Sequence, residues 1–312
     1  MINSVVVVHY LAAVVTITFP IAGTAIGQAL SSKAAIDALN IQPSVRGSLG
    51  KILMVALALT ETAALFSTLI CFMIVKDMPV TLAHSFGQLG AAFAIAIPAC
   101  VVGLASSYPI RRAFEAVSRQ PLFTQRITYL LFLTLSIAQT PTIFGLMIGM
   151  FLLTNAAGAV EMAVGLKLFA SGLALGLGSI GPALGVAFFG ASTCESVGIN
   201  RGAYSRIFSF ALMSLAIIET PVLFALVISL MLLFRAQAIE GILSISSAIS
   251  IGLCTVGLGI SSGRTASAAC LQIARHPDQY SLLSKTSITA QTLIDTNVIY
   301  GFLVSIGLLI FF

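Results

Sequence analysis

The chain has 312 residues, of which 58% are hydrophobic and 8% charged, with a formal net charge of +5 and a mean hydropathy of +1.08. A folded domain in water carries roughly 25% charged residues, so a soluble enzyme, a nucleic-acid binder and a disordered tail are excluded. The positive balance therefore reports how the chain is oriented in a membrane, not an affinity for acidic partners.

A membrane-spanning helix needs about 20 mostly apolar residues. Eight stretches qualify, at about 4–30, 52–75, 80–107, 127–153, 163–191, 207–234, 238–262 and 287–312. All are continuous apolar runs, unlike the short alternating segments of a membrane barrel, so the fold class is an all-α membrane protein. The first run lacks the basic leader of a signal peptide and reads as a retained membrane helix. Four linkers, Ser31–Lys51, Arg111–Arg126, Ser192–Arg206 and Arg264–Lys285, hold twelve of the 15 Lys and Arg residues. Lys76, Lys167 and Arg235 fall on the other side. The excess of positive charge places the four linkers in the cytoplasm and both termini on the opposite side.

The even-numbered spans repeat one feature. Each carries a polar pair near its middle: Glu61-Thr62, Gln139-Thr140, Glu219-Thr220 and Asp295-Thr296, spaced by 78, 80 and 76 residues. The chain thus reads as four tandem helical hairpins, 1–78, 79–156, 157–237 and 238–312. All four point the same way, unlike the inverted repeats of many transporters. The odd spans are rich in small residues, with Gly172, Gly176, Gly178, Gly181, Gly185 and Gly190 in the third hairpin and Gly252, Gly257, Gly259 and Gly263 in the fourth. Small residues let helix backbones approach closely in lipid, as helices crowded around a narrow axis must.

Glu61, Glu219 and Asp295 lie ten to thirteen residues past the last basic residue of their linkers. At 1.5 Å per residue that is roughly 15–20 Å along the helix, near the middle of a ~30 Å hydrocarbon core. An ionised acid there costs at least ~2.5 kcal/mol, because burial disfavours the charged form. Each acid must be protonated or paired with a cation, which is the chemistry of a reversible ion carrier. The bland alternative is a protonated carboxyl that only ties helices together. Three acids at one repeated position weigh against it. Gln139 keeps the shape of Glu but exchanges no proton and carries no charge. The second hairpin is therefore expected to pack like the others and to be silent as a carrier, with an amide oxygen to offer a neighbouring site.

Other residues carry less. Cys71, Cys100, Cys194, Cys254 and Cys270 form no CxxC pair and read as small buried hydrophobes. His9, His84 and His276 share no repeat position and read as interfacial or loop residues, not metal ligands. Pro20, Pro98 and Pro182 lie in odd spans, and Pro141 and Pro221 just after a polar pair. A proline frees the carbonyl one turn earlier. Such a carbonyl is a ligand for an ion, but a kink that shapes the helix row is the preferred reading.

At these residues the chain resembles the membrane rotor c subunit, or proteolipid, of rotary ATP synthases and ATPases, as four fused copies. Hairpins of that family have a Gly-rich inner helix, a polar cytoplasmic loop and an outer helix with a mid-membrane carboxylate. Ala274-Arg275-His276-Pro277-Asp278 and Ser118-Arg119-Gln120-Pro121 are similar to the family's loop motif. The third loop keeps Glu195-Ser196-Val197 without the Arg-Gln-Pro order, and the first keeps only Gln42-Pro43.

The resemblance implies a homo-oligomeric ring, alone or with other c subunits, that turns in the membrane against a stator a subunit. Its ion-binding residues are Glu61, Glu219 and Asp295, carrying H+ or Na+, and its cytoplasmic loops touch central-stalk subunits. ATP chemistry belongs to other chains, so this one is no enzyme by itself, and it has no Walker-type glycine loop. No cofactor is implied beyond the transported ion. Sodium-type rings of the family resemble this chain in placing a hydroxyl after the carboxylate, as at Thr62, Thr140, Thr220 and Thr296. They also use an inner-helix Gln, a position that falls here on Gln28, Ser106, Val186 and Ser262. Gln28, Glu61 and Thr62 form the sodium site the resemblance favours, with Thr220, Thr296 and Gln139 in supporting roles. Proton and sodium both stay open. Three carriers in four hairpins means fewer ions per turn, which suits an ATP-driven pump more than a synthase. The alternative is a stand-alone eight-span cation transporter, which needs a cavity between its own halves. A membrane scaffold leaves the repeated acids unexplained.

Overall fold

The computed structural model describes residues 2–235 and 241–311. Glu240 and the junction expected at 237/238 lie outside the described residues. Within them every regular element is helical, and eight helical runs are long and apolar enough to cross a membrane. The first two spans are α1 (Ile2–Ile41) and α2 (Arg46–Lys76). The third is α3 (Leu82–Ala105) with α4 (Ser107–Arg119), and the fourth α5 (Thr124–Ala138) with α6 (Thr140–Ala156). The fifth is α7 (Met162–Gly178) with α8 (Ile180–Ile199), the sixth α9 (Tyr204–Phe234) and the seventh α10 (Gly241–Arg275). The eighth is α11 (Tyr280–Thr296) with α12 (Val298–Ile310).

The helices outrun the apolar stretches. The linker expected over Ser31–Lys51 is helical to Ile41 and again from Arg46. What reverses the chain is one short 3-10 turn, Pro43–Val45, matched by Pro121–Phe123, Arg201–Ala203 and Pro277–Gln279. Hydropathy marks where the lipid ends, whereas backbone hydrogen bonding continues through charged residues such as Lys33 and Asp37. Proline opens three of the turns, where its fixed φ suits a first helical position and its missing N–H costs nothing. The third turn lacks proline, and there the Asn200 side chain accepts from the Gly202 N–H at 3.0 Å.

Four spans break midway, at Ser106, Gln139, Ser179 and Asn297. The first three breaks precede Pro109, Pro141 and Pro182 by two or three residues. A proline removes one helical hydrogen bond and pushes on the carbonyl one turn back. The fourth break has no proline. There the Asn297 amide donates to the Leu293 and Ile294 carbonyls at 3.2 and 3.0 Å, in competition with the helix. Pro20, Pro98 and Pro221 stay inside continuous helices.

The odd spans pack side by side in chain order as an inner row. A Cβ added to Gly27 would collide with the Gly103 carbonyl, and one added to Gly185 with the Gly259 carbonyl. The even spans cover this row through larger side chains, as where Phe189 of α8 meets Phe210 of α9 at 5.8 Å. The third and fifth spans are each 72% buried, against 28% for the first and 39% for the seventh. Both ends of the row are short of a neighbour.

Gly185→Ala is expected to destabilise the detergent-solubilised chain by ~1–3 kcal/mol, as overpacking does. Gly50→Ala, with nothing within 4 Å of its added methyl, should not. Thermal unfolding of the two variants is the check, and equal losses would contradict backbone contact as the basis of the inner row.

Candidate functional site

The polar pairs meet at the junctions between hairpins. Asp295, near the end of α11, places Oδ2 2.6 Å from Oγ1 of Thr220 on α9. Glu219, on α9, faces the Thr140 hydroxyl at the start of α6. Gln139, between α5 and α6, donates from Nε2 to the Leu59 carbonyl of α2 at 2.9 Å. Asp295 and Glu219 thus face the polar pair of the hairpin before them, and Gln139 reaches a carbonyl two residues ahead of that pair. Repeats of nearly constant length put these residues at one level, and the inner row holds them there.

The second carboxyl oxygens differ from the first. Oε1 of Glu219 and Oδ1 of Asp295 are buried and have no hydrogen-bond partner. A buried oxygen without a donor is costly unless it binds something. Beside Asp295 is an open cavity of about 300 Å³, lined by Thr220, Phe224, Thr292 and Asp295 among others.

The threonines are held by their own helices. The hydroxyls of Thr62, Thr220 and Thr296 each donate 2.7 Å back to the carbonyls of Leu59, Ile217 and Leu293. Ile217 is the residue whose carbonyl Pro221, lacking an N–H, leaves without its helical donor. The proline-freed carbonyl is therefore closed by a hydroxyl and is not an open ion ligand.

The other expected residues are placed as follows. Glu61 is exposed on α2, and Thr296 is exposed at the far end of the chain. Gln28 donates to the Leu57 carbonyl at 3.3 Å and Thr62 to Leu59, so Gln28, Glu61 and Thr62 are each held separately. The Gln139 amide oxygen does not serve a neighbour: it accepts from Thr142 of its own hairpin at 3.1 Å, while the N–H end spans the junction. At the positions equivalent to Gln28, Ser106 donates to Val102, Val186 is buried and apolar, and the Ser262 hydroxyl is buried without a partner.

Two histidines depart from expectation. His9 and His84 are buried within the protein. His9 Nδ1 lies 2.7 Å from Gln88 Oε1, and His84 Nε2 lies 2.8 Å from Asp77 Oδ2. Gln88 also donates to the Asp77 carbonyl, so the cluster fastens the linker between the first two hairpins. The partner that joins them, Gln88, lies 79 residues from His9, beyond any local pattern. Among the described residues no group of three His, Cys, Asp or Glu is arranged to hold a metal ion. Of the five free cysteines, Cys194 and Cys270 are buried as expected, and Cys71, Cys100 and Cys254 are half-buried.

Comparison with known proteins gives a consistent result. The family of ATP synthase C subunits matches residues 89–152, 169–232 and 245–308. The chain is 44% identical over 71 residues to the ATP synthase c subunit of Dehalococcoides mccartyi, covering 23% of this chain and 93% of that protein. It is 35% identical over 74 residues to the ATP synthase c subunit of Campylobacter curvus, 24% of this chain and 74% of that one. It is 33% identical over 70 residues to the ATP synthase c subunit of Chloroflexus aurantiacus, 22% of this chain and 92% of that one.

Thr220→Val removes the bonds to both Asp295 and Ile217, and Ile217 has no backbone donor to replace it. The loss should be ~1–3 kcal/mol. Thr62→Val should cost less, because the Leu59 carbonyl keeps the Gln139 amide. Unfolding of both variants in detergent measures the difference, and an equal loss would count against the special role of Pro221.

Proposed function

The chain belongs to the family of ATP synthase C subunits, and on that premise we propose that it is an ion-translocating rotor subunit of a rotary ATP synthase or ATPase. It is a non-catalytic membrane subunit whose four hairpins, 1–78, 79–156, 157–237 and 238–312, form part of a ring. Glu61, Glu219 and Asp295 carry the ion, and the Gln139 hairpin fills its place without carrying. The basic turns lie in the cytoplasm against central-stalk subunits, and the outer spans pass a stator subunit. Each charge moved is driven by about 2.3 kcal/mol per 100 mV.

The observation that carries this reading is the arrangement of Asp295: one oxygen against Thr220, the other buried and free. A hydroxyl has one hydrogen to give. Thr220 Oγ1 lies within donating distance of both the Ile217 carbonyl and Asp295 Oδ2, so when its hydrogen goes to Ile217 a proton on the acid completes the second contact. The acid is then neutral and suited to the membrane interior, and its loaded form is a carboxylic acid. This supports a proton at the fourth hairpin. A sodium ion wants several oxygens, and on the third hairpin Val186 supplies none. A stand-alone transporter is supported less well, since the cavity beside Asp295 lies at one hairpin junction and not between the two halves of the chain.

Carbodiimides attack protonated buried carboxyls. With the purified protein labelled across pH, with and without sodium, and the sites mapped by mass spectrometry, Glu61, Glu219 and Asp295 are expected to react. A reaction that follows pH alone identifies a proton carrier, and one that sodium suppresses identifies a sodium carrier. Absence of reaction at all three sites in the folded protein would sink the carrier reading.

A further inference from the structure

The outer helix of the fourth hairpin is more polar than its counterparts. On α11, Ser284, Ser287, Gln291 and Asp295 follow one another at three or four residues, so they share one face. Ser284, Ser287 and Gln291 are buried, and Ser281, one turn nearer the basic turn, is exposed. The spacing of the polar pairs carries Gln291 back to Leu215, Leu135 and Leu57, and Ser287 back to Ala211, Leu131 and Leu53. The fourth hairpin alone replaces this apolar lining with side chains that need hydrogen-bond partners.

Those partners are incomplete. Gln291 donates from Nε2 to Ser287 Oγ at 3.0 Å and to Ser214 Oγ on α9 at 3.2 Å. Its Oε1 is buried and has no hydrogen-bond partner. Asp295 Oδ1, one turn further along α11, and Ser262 Oγ on α10 are in the same condition. Ser262 faces this level of α11. Its equivalent in the first hairpin is Gln28, which donates to the carbonyl of Leu57, the equivalent of Gln291, at 3.3 Å. Serine is much the shorter side chain and fills less of that position. Three buried oxygens without partners thus belong to adjoining positions of one hairpin. Buried polar groups left unpaired by protein are met by water, which makes about three hydrogen bonds in such sites.

We propose that the fourth hairpin holds bound water between Ser262, Gln291 and Asp295, and that this water and the Ser287 and Ser284 hydroxyls form a proton path from the basic-turn end to Asp295. Eleven residues separate Ser284 from Asp295, about 16 Å of helix, so the path crosses much of an apolar span. Gln291 is a positioning residue, because an amide exchanges no proton and orients the water through Oε1. Each proton that enters at the Ser281 end is matched by one delivered to the Asp295 carboxylate, so water and hydroxyls are unchanged after the transfer. Glu219 and Glu61 follow Leu215 and Leu57 by four residues, where Asp295 follows Gln291. Those two carboxylates lack such a path, and the fourth exchanges through its own hairpin.

The proton path rests on the ion-carrier reading of Asp295, whereas the bound water does not. Solid-state NMR of the full chain in lipid bilayers tests the water. Magnetisation transfer from water is expected to be about tenfold faster to the Gln291 side-chain amide than to that of Gln139, which is satisfied by Leu59 and Thr142. Equal transfer to the two amides overturns the bound water. Infrared spectroscopy on transfer to D2O tests the path. The carboxylic C=O band that Asp295→Asn removes is expected to exchange its proton about tenfold more slowly in Gln291→Leu than in the wild type, with the band of Glu219 unmoved. Gln291→Leu installs the leucine of the other three hairpins, so the chain should keep its helicity and melting behaviour. Ser287→Ala, a smaller change, should slow the exchange in the same direction and decides the matter if Gln291→Leu misfolds. Wild-type rates in the folded variants overturn the path. If Asp295→Asn removes no carboxylic band, the protonated-carrier reading has failed and the path falls with it, while the water transfer alone still decides the bound water.

Discussion

A carboxyl group in hydrocarbon must be neutral or paired, and the rest of this structure is arranged around that constraint. Asp295 and Glu219 are housed at junctions facing a threonine of the preceding hairpin, bonded in the case of Asp295, and each keeps one buried oxygen without a partner. Neither hairpin builds such a site alone. The single-hydrogen rule for hydroxyls links this chemistry to the backbone, because Pro221 strips the Ile217 carbonyl of its donor and Thr220 supplies it. Pro221, within a continuous helix, thus bears on the same hydroxyl that meets Asp295.

The junction depends in turn on the inner row. Gly27 against Gly103 and Gly185 against Gly259 fix neighbouring hairpins at backbone contact, which leaves little freedom for one to slide past the next. Polar pairs spaced by nearly equal repeats therefore arrive at one height. Gln139 shows that the height is a property of the scaffold, since an amide with no proton to exchange still spans its junction to Leu59. The second hairpin is silent as a carrier in the proposed function, yet its Thr140 serves Glu219.

Much of this was legible in the sequence. Eight spans and the tandem repeat follow from hydropathy and spacing, because lipid imposes a length and a polarity on every span. The extensions of the helices into the basic linkers were not legible, since a charged residue such as Lys33 ends an apolar run without ending a helix. The partner of each acid was hidden for another reason. Thr220 and Asp295 lie 75 residues apart, and sequence pairs each acid with its own following threonine. The structure pairs it with the threonine of the preceding hairpin. Gln28 and Thr62, expected beside Glu61, bond to the Leu57 and Leu59 carbonyls of α2. His9 and Gln88, joined across hairpins, repeat the lesson away from the carboxylates.

The most direct measurement is ion translocation by the whole complex, reconstituted in vesicles with the chain carrying Glu61→Gln, Glu219→Gln and Asp295→Asn together. Amides keep the shapes and the junction contacts, as Gln139 does, so the complex should assemble. The account predicts that it moves no ions in response to ATP or to an imposed potential. Ion movement at the wild-type rate through a complex with all three carboxylates removed would contradict it.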